Sequence, residues 1–356
     1  MDLYIEQLDK DKLKILPDFN TLEFGKSYSD RMFMMTYSNE KKWHDAKICS
    51  YKNFEFSPAT LVLHYAQEIF EGLKAYRRED NNIGLFRPQD NFNRLNNSAR
   101  RMCMPEVDTN FVLNALLELL RLEQRWVPDS NGASLYIRPT MIGVDPIIGL
   151  KPSQTYLLYI ILSPVGAYFK TDGAGLKILV EDTYVRAVAG GTGEAKTGCN
   201  YASSLIASRE AQKKGYTQVL WLDGVHRRYV EEIGTNNVFF VYGNKVVTPK
   251  LNGSILPGIT RQSVIDILIH WGMDIEEKQL DINQILKDID NGAITEAFGS
   301  GTAVVISPIA TFGYKGKDHS LSNQNTGPIT DKIFTALTDI QYGRAKDPFG
   351  WTIPIS

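Results

Sequence analysis

One lysine in the chain keeps unusual company. In "VRAVAGGTGEAKTGCNYASSL", Gly190, Gly191, Gly193 and Gly198 crowd around Lys196, and Tyr201 follows five residues on. A lysine amine kept out of water attacks carbonyl carbon and suits a Schiff base. A P-loop needs glycine directly before its lysine, where Ala195 stands, and a Rossmann turn needs GxGxxG after a strand. What remains is an amine displayed on a bent backbone, or a surface loop with a solvated lysine, and alone the segment favours the loop. Three further segments bear on it. "YVEEIGTNNVFF" sets Glu231 and Glu232 at the mouth of a strand, ahead of Gly234 and Thr235. A carboxylate there could hold a pyridinium nitrogen, as pyridoxal phosphate (PLP) chemistry requires, or be one of two solvated acids. "GSILPGITRQSVIDIL" places Gly258, Ile259 and Thr260 at a helix start, whose N–H groups suit a phosphate or merely follow a Pro/Gly turn. "EAFGSGTAVVISP" offers Gly299, Ser300, Gly301 and Thr302, small enough for an anion to reach the backbone, or a plain loop before a buried strand. Each is weak singly. Four in this order are not.

These segments need a scaffold, and hydrophobic period supplies one. "RMFMMTYS", "SLYIRPTMIG" and "TYLLYIILSPVG" read as strands, and "DNNIGLFRP" as a turn into a short strand. The pattern is helical from Asn91, and "NFVLNALLELLRLEQRWVP" is an amphipathic helix stopped by Pro128. Further on, "SSLIASREAQKKG" and "TRQSVIDILIHWG" read as helices closed by Gly215 and Gly272. "TQVLWLDG" is a strand, and "NNVFFVYGNKVVTP" a hairpin turning at Gly243-Asn244. The Gly/polar break at "YFKTDGAGLK" suggests two α/β or α+β domains joined near residue 175.

Composition narrows the function classes. The 356 residues are 43% hydrophobic and 22% charged, with 39 Lys+Arg against 41 Asp+Glu, a soluble balance without a nucleic-acid footprint. Three cysteines (Cys49, Cys103, Cys199) and dispersed histidines argue against a disulfide framework or a metal site. No apolar run approaches a membrane span, and "MDLYIEQLDKDKLK" has no signal-peptide core, so the expected location is cytoplasmic.

At these segments, together with "FGKSYSDRMF", "FEGLKAYR" and the C-terminal "YGRAKDPFGW", the chain resembles the branched-chain amino-acid aminotransferases of PLP fold type IV. The resemblance runs nearly end to end. It implies an α+β two-domain fold: a smaller α/β domain over 1–170, a linker at 171–185 and a larger pseudo-barrel domain over 186–356, with PLP between them. By motif, Lys196 resembles the Schiff-base lysine, Tyr201 the partner of the PLP phenolate oxygen, and Glu232, not Glu231, the partner of the ring nitrogen. Arg94 in "NRLNNSARR", the N–H groups of Ile259 and Thr260, and Thr302 resemble the phosphate cup. Phe24, Tyr65, Phe70, Tyr136 and Tyr168 resemble the apolar side-chain pocket, each buried methylene worth roughly 0.8 kcal/mol. Arg138 resembles the arginine that admits glutamate's distal carboxylate, and Thr235 with Ala303 the seat of the α-carboxylate. The activity implied is ping-pong transamination of L-leucine, L-isoleucine and L-valine with 2-oxoglutarate by a homodimer, without nucleic-acid, membrane or metal partners. The Cys-x-x-Cys that some members carry is replaced by Val304 and Ser307, so no thiol switch of that kind is available. A D-amino-acid aminotransferase or an aminodeoxychorismate lyase would use the same lysine, but "YIRP" and "EIGTNN" argue against both. A silent scaffold would not need Lys196, Tyr201, Glu232 and Arg94 together.

Overall fold

Two periods, one of two residues and one near 3.6, organise the chain into sheets and the helices that cover them. The structure, a computed structural model, describes residues 1–130, 132–166, 175–323 and 325–355. The chain divides into two compact units: Met1–Tyr168 with Ala195–Gly198 and Asp339–Ser356, and Phe169–Glu194 with Cys199–Thr338.

The first unit contains β1 (Tyr4–Ile5), β2 (Arg31–Ser38), β3 (Lys42–Ser50), the single turn α1 (Val62–Tyr65), β4 (Glu68–Phe70), β5 (Leu73–Arg77) and β6 (Ile83–Phe86). Helices α2 (Pro88–Arg101) and α3 (Thr109–Leu122) follow, then β7 (Ser134–Gly143) and β8 (Thr155–Val165). Among the described residues these strands and the C-terminal strand Thr352–Ile355 form one nine-stranded sheet. Its order is β1-β3-β2-β8-β7-β5-β6 and then the C-terminal strand, with β4 beside β7. Alternation divides the two faces. Ile69, Leu73, Ala75, Leu135, Ile137, Met141, Leu158 and Ile160 pack in one core with Phe92 and Leu95 of α2 and Leu116 and Leu119 of α3. The intervening residues Glu68, Phe70, Lys74, Tyr136, Arg138 and Tyr159 therefore share the opposite face. Helix α3 starts where Asp108 accepts the N–H groups of Asn110 (3.0 Å) and Phe111 (3.1 Å). It ends at Leu122, before a single 3-10 turn at Gln124–Trp126 and ahead of Pro128.

The second unit holds β9 (Leu176–Glu181), α4 (Cys199–Ala202), α5 (Leu205–Lys213), β10 (Gln218–Leu222), β11 (Val230–Ile233), β12 (Asn236–Tyr242) and β13 (Lys245–Pro249). Then come α6 (Ile259–His270), β14 (Asp274–Lys278), α7 (Ile282–Asp290), β15 (Glu296–Gly301), β16 (Val305–Tyr314) and β17 (Lys317–Ser320). Six strands close a ring, β11-β10-β9-β16-β15-β12 and back to β11, while β13, β14 and β17 extend from it. This is the barrel-like sheet that the family resemblance implied. The β12–β13 hairpin turns at Gly243-Asn244 as expected, pairing Tyr242 with Lys245.

The domain boundaries differ from those read in sequence. Of the expected linker 171–185, residues 176–181 are β9, which lies between β10 and β16 inside the ring. Its "LKILVE" is a buried strand directly after a glycine-rich stretch, and the stretch masked it. Two pieces assigned to the second domain, Ala195–Gly198 and Asp339–Ser356, belong to the first unit. The return is made along α8 (Pro328–Tyr342), and the last strand pairs with β6, Ile355 opposite Ile83.

Candidate active site

In the first unit, Lys196 is set by its backbone before its side chain. The Lys196 N–H donates to Ser98 Oγ of α2 (2.9 Å), and its carbonyl accepts the N–H of Phe70 (2.9 Å). Its ammonium lies 4.9 Å from the centre of the Phe70 ring. Arg138 covers the same ring at 4.6 Å and donates through Nη2 to the Tyr136 hydroxyl (2.9 Å). Phe24 meets Tyr136 edge to face, with centroids 4.9 Å apart. An amine, a guanidinium and three aromatic rings thus gather on the sheet face that α2 and α3 leave uncovered. Gly72 belongs to this arrangement by what it lacks, because a Cβ there would overlap the Tyr136 hydroxyl.

Beneath the lysine sits a buried ion pair. Glu71 is fully buried and accepts Arg94 Nε (2.8 Å) and Nη2 (2.9 Å), Asn91 Nδ2 (2.9 Å) and the Gly72 N–H (3.2 Å). Burial alone would raise its carboxyl. The Arg94 charge and bonds, with the Lys196 charge and Asn91, outweigh that and hold it below the usual carboxylate range. Lys74 is the other lysine of this face, opposite Tyr136 in the ladder, and burial pulls its ammonium down to about 8.

In the second unit, β11 and β12 form a hairpin whose turn is Gly234-Thr235, with Gly234 at a positive φ of 53°. Neighbouring acids then separate. Glu232 accepts the Leu256 N–H (2.7 Å) and lies 3.3 Å from Arg186 Nε, all buried or nearly so. Glu231 turns to Asn252 Nδ2 (3.2 Å) and the Ser254 hydroxyl. Asn237, paired with Glu232 across the hairpin, donates to the Leu256 carbonyl (3.0 Å). Gly258 packs so closely on Asn237 Oδ1 that a Cβ would overlap it. Helix α6 begins immediately afterwards without any side-chain cap, which leaves the first-turn N–H groups of Ile259 and Thr260 to an outside acceptor. Thr302 and Ala303 form the turn between β15 and β16, and Ser300 Oγ is buried without a partner among the described residues. Tyr201 stands on α4, half-buried, after a loop whose ends are tied by Thr192 Oγ to Asn200 Oδ1 (2.7 Å) and Asn200 Nδ2 to the Thr192 carbonyl (2.8 Å).

The structure therefore brings Lys196, Phe70, Tyr136, Arg138 and Phe24 together in one unit, with Arg94 held beneath by Glu71. Tyr65 lies on α1, exposed, its hydroxyl donating to the Ile148 carbonyl (3.1 Å). Thr235 is exposed at its turn. Tyr168 lies outside the described residues. Sequence reasoning assigned no role to Arg186, Glu71, Asn237 or Gly72. All four sit inside quoted motifs, but only their contacts mark them out. Among the described residues no group of three or more His, Cys, Asp and Glu could hold a metal ion, and no helix is long and apolar enough to cross a membrane.

Comparison with known proteins agrees with this chemistry. Residues 68–312 match the family model for amino-transferase class IV. Branched-chain-amino-acid aminotransferase 2 of Bacillus subtilis (strain 168) is 47% identical over 340 residues, covering 96% of this chain and 94% of that protein. A probable branched-chain-amino-acid aminotransferase of Staphylococcus aureus (strain MRSA252) is 48% identical over 347 residues, covering 97% of each. Among solved structures, the Escherichia coli branched-chain amino acid aminotransferase superposes with a TM-score of 0.75 at 25% identity, covering 92% of this chain and 99% of that one. By its sequence, its ring-closed sheet and its relatives, the chain belongs to the class IV aminotransferases, among the branched-chain amino-acid enzymes.

Proposed function

We propose that the protein transfers the α-amino group of L-leucine, L-isoleucine or L-valine to 2-oxoglutarate with PLP, as a cytoplasmic homodimer, giving the branched-chain 2-oxo acid and L-glutamate. The observation that carries this reading is Lys196, fixed through both its N–H and its carbonyl, with its amine over an aromatic face that also bears Arg138. The residues present fit the cofactor. A helix start without a side-chain cap, opened by a glycine too close to Asn237 to bear a Cβ, has the donors for a phosphate, and Glu232 is a buried carboxylate already held on one side. PLP supplies an aldehyde for the amine and a ring that accepts electron density from the substrate Cα.

The chain's own residues do the rest. With PLP in place, Lys196 Nζ would hold its aldehyde carbon and, once displaced by the substrate amine, would carry the proton from the substrate Cα to the cofactor's C4′ carbon, as base and then as acid. Glu232, braced by the Leu256 N–H and Arg186, pairs with the ring nitrogen, and Tyr201 donates to the phenolate oxygen. Arg94, with Nε and Nη2 committed to Glu71 in a planar fork, together with Ile259, Thr260 and Thr302, serves the phosphate. Phe24, Tyr65, Phe70, Tyr136 and Tyr168 exclude water from the side-chain pocket, while Thr235 and Ala303 seat the α-carboxylate. Arg138 receives the distal carboxylate when 2-oxoglutarate or glutamate takes the apolar substrate's place.

One observation favours a second assignment of the nucleophile. Lys74 lies on the same face, and its lowered ammonium yields a free amine more readily at neutral pH. Borohydride reduction of the PLP-loaded protein, followed by peptide mapping, decides between them. Label on Lys196 and loss of turnover in Lys196→Ala are expected. Label on Lys74 would overturn the assignment, and no label on either lysine would overturn the PLP reading itself.

A further inference from the structure

Two carboxylates lie three residues apart in "EIFE", and the structure treats them oppositely. Glu71 clamps Arg94 with a two-bonded fork and is fully buried. Glu68 is half-buried, and its carboxylate has neither a hydrogen bond nor an ion pair among the described residues. It sits on β4 opposite Ile142 of β7, two residues before Phe70, which is opposite Thr140. Period two puts Glu68, Phe70, Tyr136 and Arg138 on one face, with Arg138 over the Phe70 ring. The carboxylate also presses on the lysine loop, since a Cβ on Gly198 would overlap Glu68 Oε1. Burial raises the Glu68 carboxyl, and the Arg138 charge offsets part of that rise, so the two groups feel each other without touching. A half-buried carboxylate without a bonded partner is costly to keep, and such groups collect at functional sites.

We propose that Glu68 sets how strongly Arg138 attracts a second carboxylate, so that one pocket can take both an apolar side chain and a glutamate-like one. The proposal rests on the reading above that Arg138 receives the distal carboxylate. An unbalanced guanidinium on this face would reward the dicarboxylate and penalise leucine. Glu68 subtracts from that field. Because Glu68 acts at a distance rather than by a clamp, it weakens the pull of the guanidinium without taking up its donors.

The test measures KM for L-leucine and L-glutamate as amino donors on the PLP-loaded enzyme and three variants. In Glu68→Gln, KM for glutamate is expected to fall on the order of tenfold, the effect of one unit charge acting across a partly buried site. KM for leucine should hold or rise. Glu68→Asp, which keeps the charge, should return the ratio of the two KM values toward wild type. Glu68→Gln is isosteric and removes an unpaired half-buried charge, so its melting temperature should match or exceed wild type. Equal changes in both KM values, or a change in kcat alone, would mean a structural role and overturn the proposal. Arg138→Gln separates the two readings. If it leaves KM for glutamate unchanged, the carboxylate seat is wrong and the Glu68 proposal falls with it. If it raises that KM while Glu68→Gln fails to lower it, only the Glu68 proposal fails.

Discussion

Gly72 shows how a missing atom shapes a pocket. Its φ is not the constraint; the Tyr136 hydroxyl occupies the space where a Cβ would go. That close approach keeps Tyr136 under Arg138, whose Nη2 it accepts at 2.9 Å. Gly72→Ala should therefore push the tyrosine ring aside rather than unfold the strand. The expected outcome is a KM for L-leucine raised by roughly tenfold, about 1.4 kcal/mol of lost binding, with melting temperature nearly unchanged. Steady-state kinetics and a thermal melt on the same preparation check it, and an unaltered KM would show that Tyr136 does not line the pocket. At the same scale, alternation in "SLYIRPTMIG" decides which residues turn away from the core. Leu135 and Ile137 go to the core, so Tyr136 and Arg138 have only the other face.

Helix α8 begins at an acceptor borrowed from another element. Glu296, at the start of β15 and buried, takes the N–H of Ile329 (3.1 Å), the N–H of Thr330 (2.8 Å) and the Thr330 hydroxyl (2.7 Å). It thus caps the first turn from outside the helix. Glu296→Ala leaves those donors buried and unmet, a loss of about 2–3 kcal/mol measurable by denaturant unfolding. A variant as stable as wild type would refute the cap. Such a cap could not be seen in advance, because the glutamate lies more than thirty residues before the turn it serves. The same reason separates what was legible in the sequence from what was not. β2, β7 and β8 stand out because their apolar runs are local and bounded by turn residues, and α3 because five buried residues recur at helical spacing. β9 reads as linker because a short strand beside glycines carries little local signal. The site residues came through motifs. Their partners did not, since Glu71 finds Arg94 and Glu232 finds Arg186 only through the fold.

At the scale of the whole molecule, the chain leaves the first unit, re-enters it for Ala195–Gly198 and ends in it. A single cut in 171–185 therefore does not yield two complete units. A fragment of residues 1–170 would lack the C-terminal strand that covers β6, where Thr352 pairs with Phe86 and Ile355 with Ile83. It would carry an exposed, fully buried-type strand edge. That fragment should show no cooperative melt and little near-ultraviolet circular dichroism. A sharp two-state melt would contradict this division of the chain.

The closed ring of the second unit has a kinetic consequence. β9 is the first strand of this unit, yet one of its two neighbours is β16, with Ile178 beside Phe312. Joining strands so far apart in sequence costs about 4 kcal/mol of loop-closure entropy before any ladder bond repays it. Hairpins such as β11–β12 and β12–β13 can form first because their loops are two residues long. The parallel seam between β9 and β16 comes late, and until it zips, two strand edges stand open to other chains. Refolding of this enzyme should thus be slow and concentration-sensitive, with yield set by how quickly the barrel closes on itself.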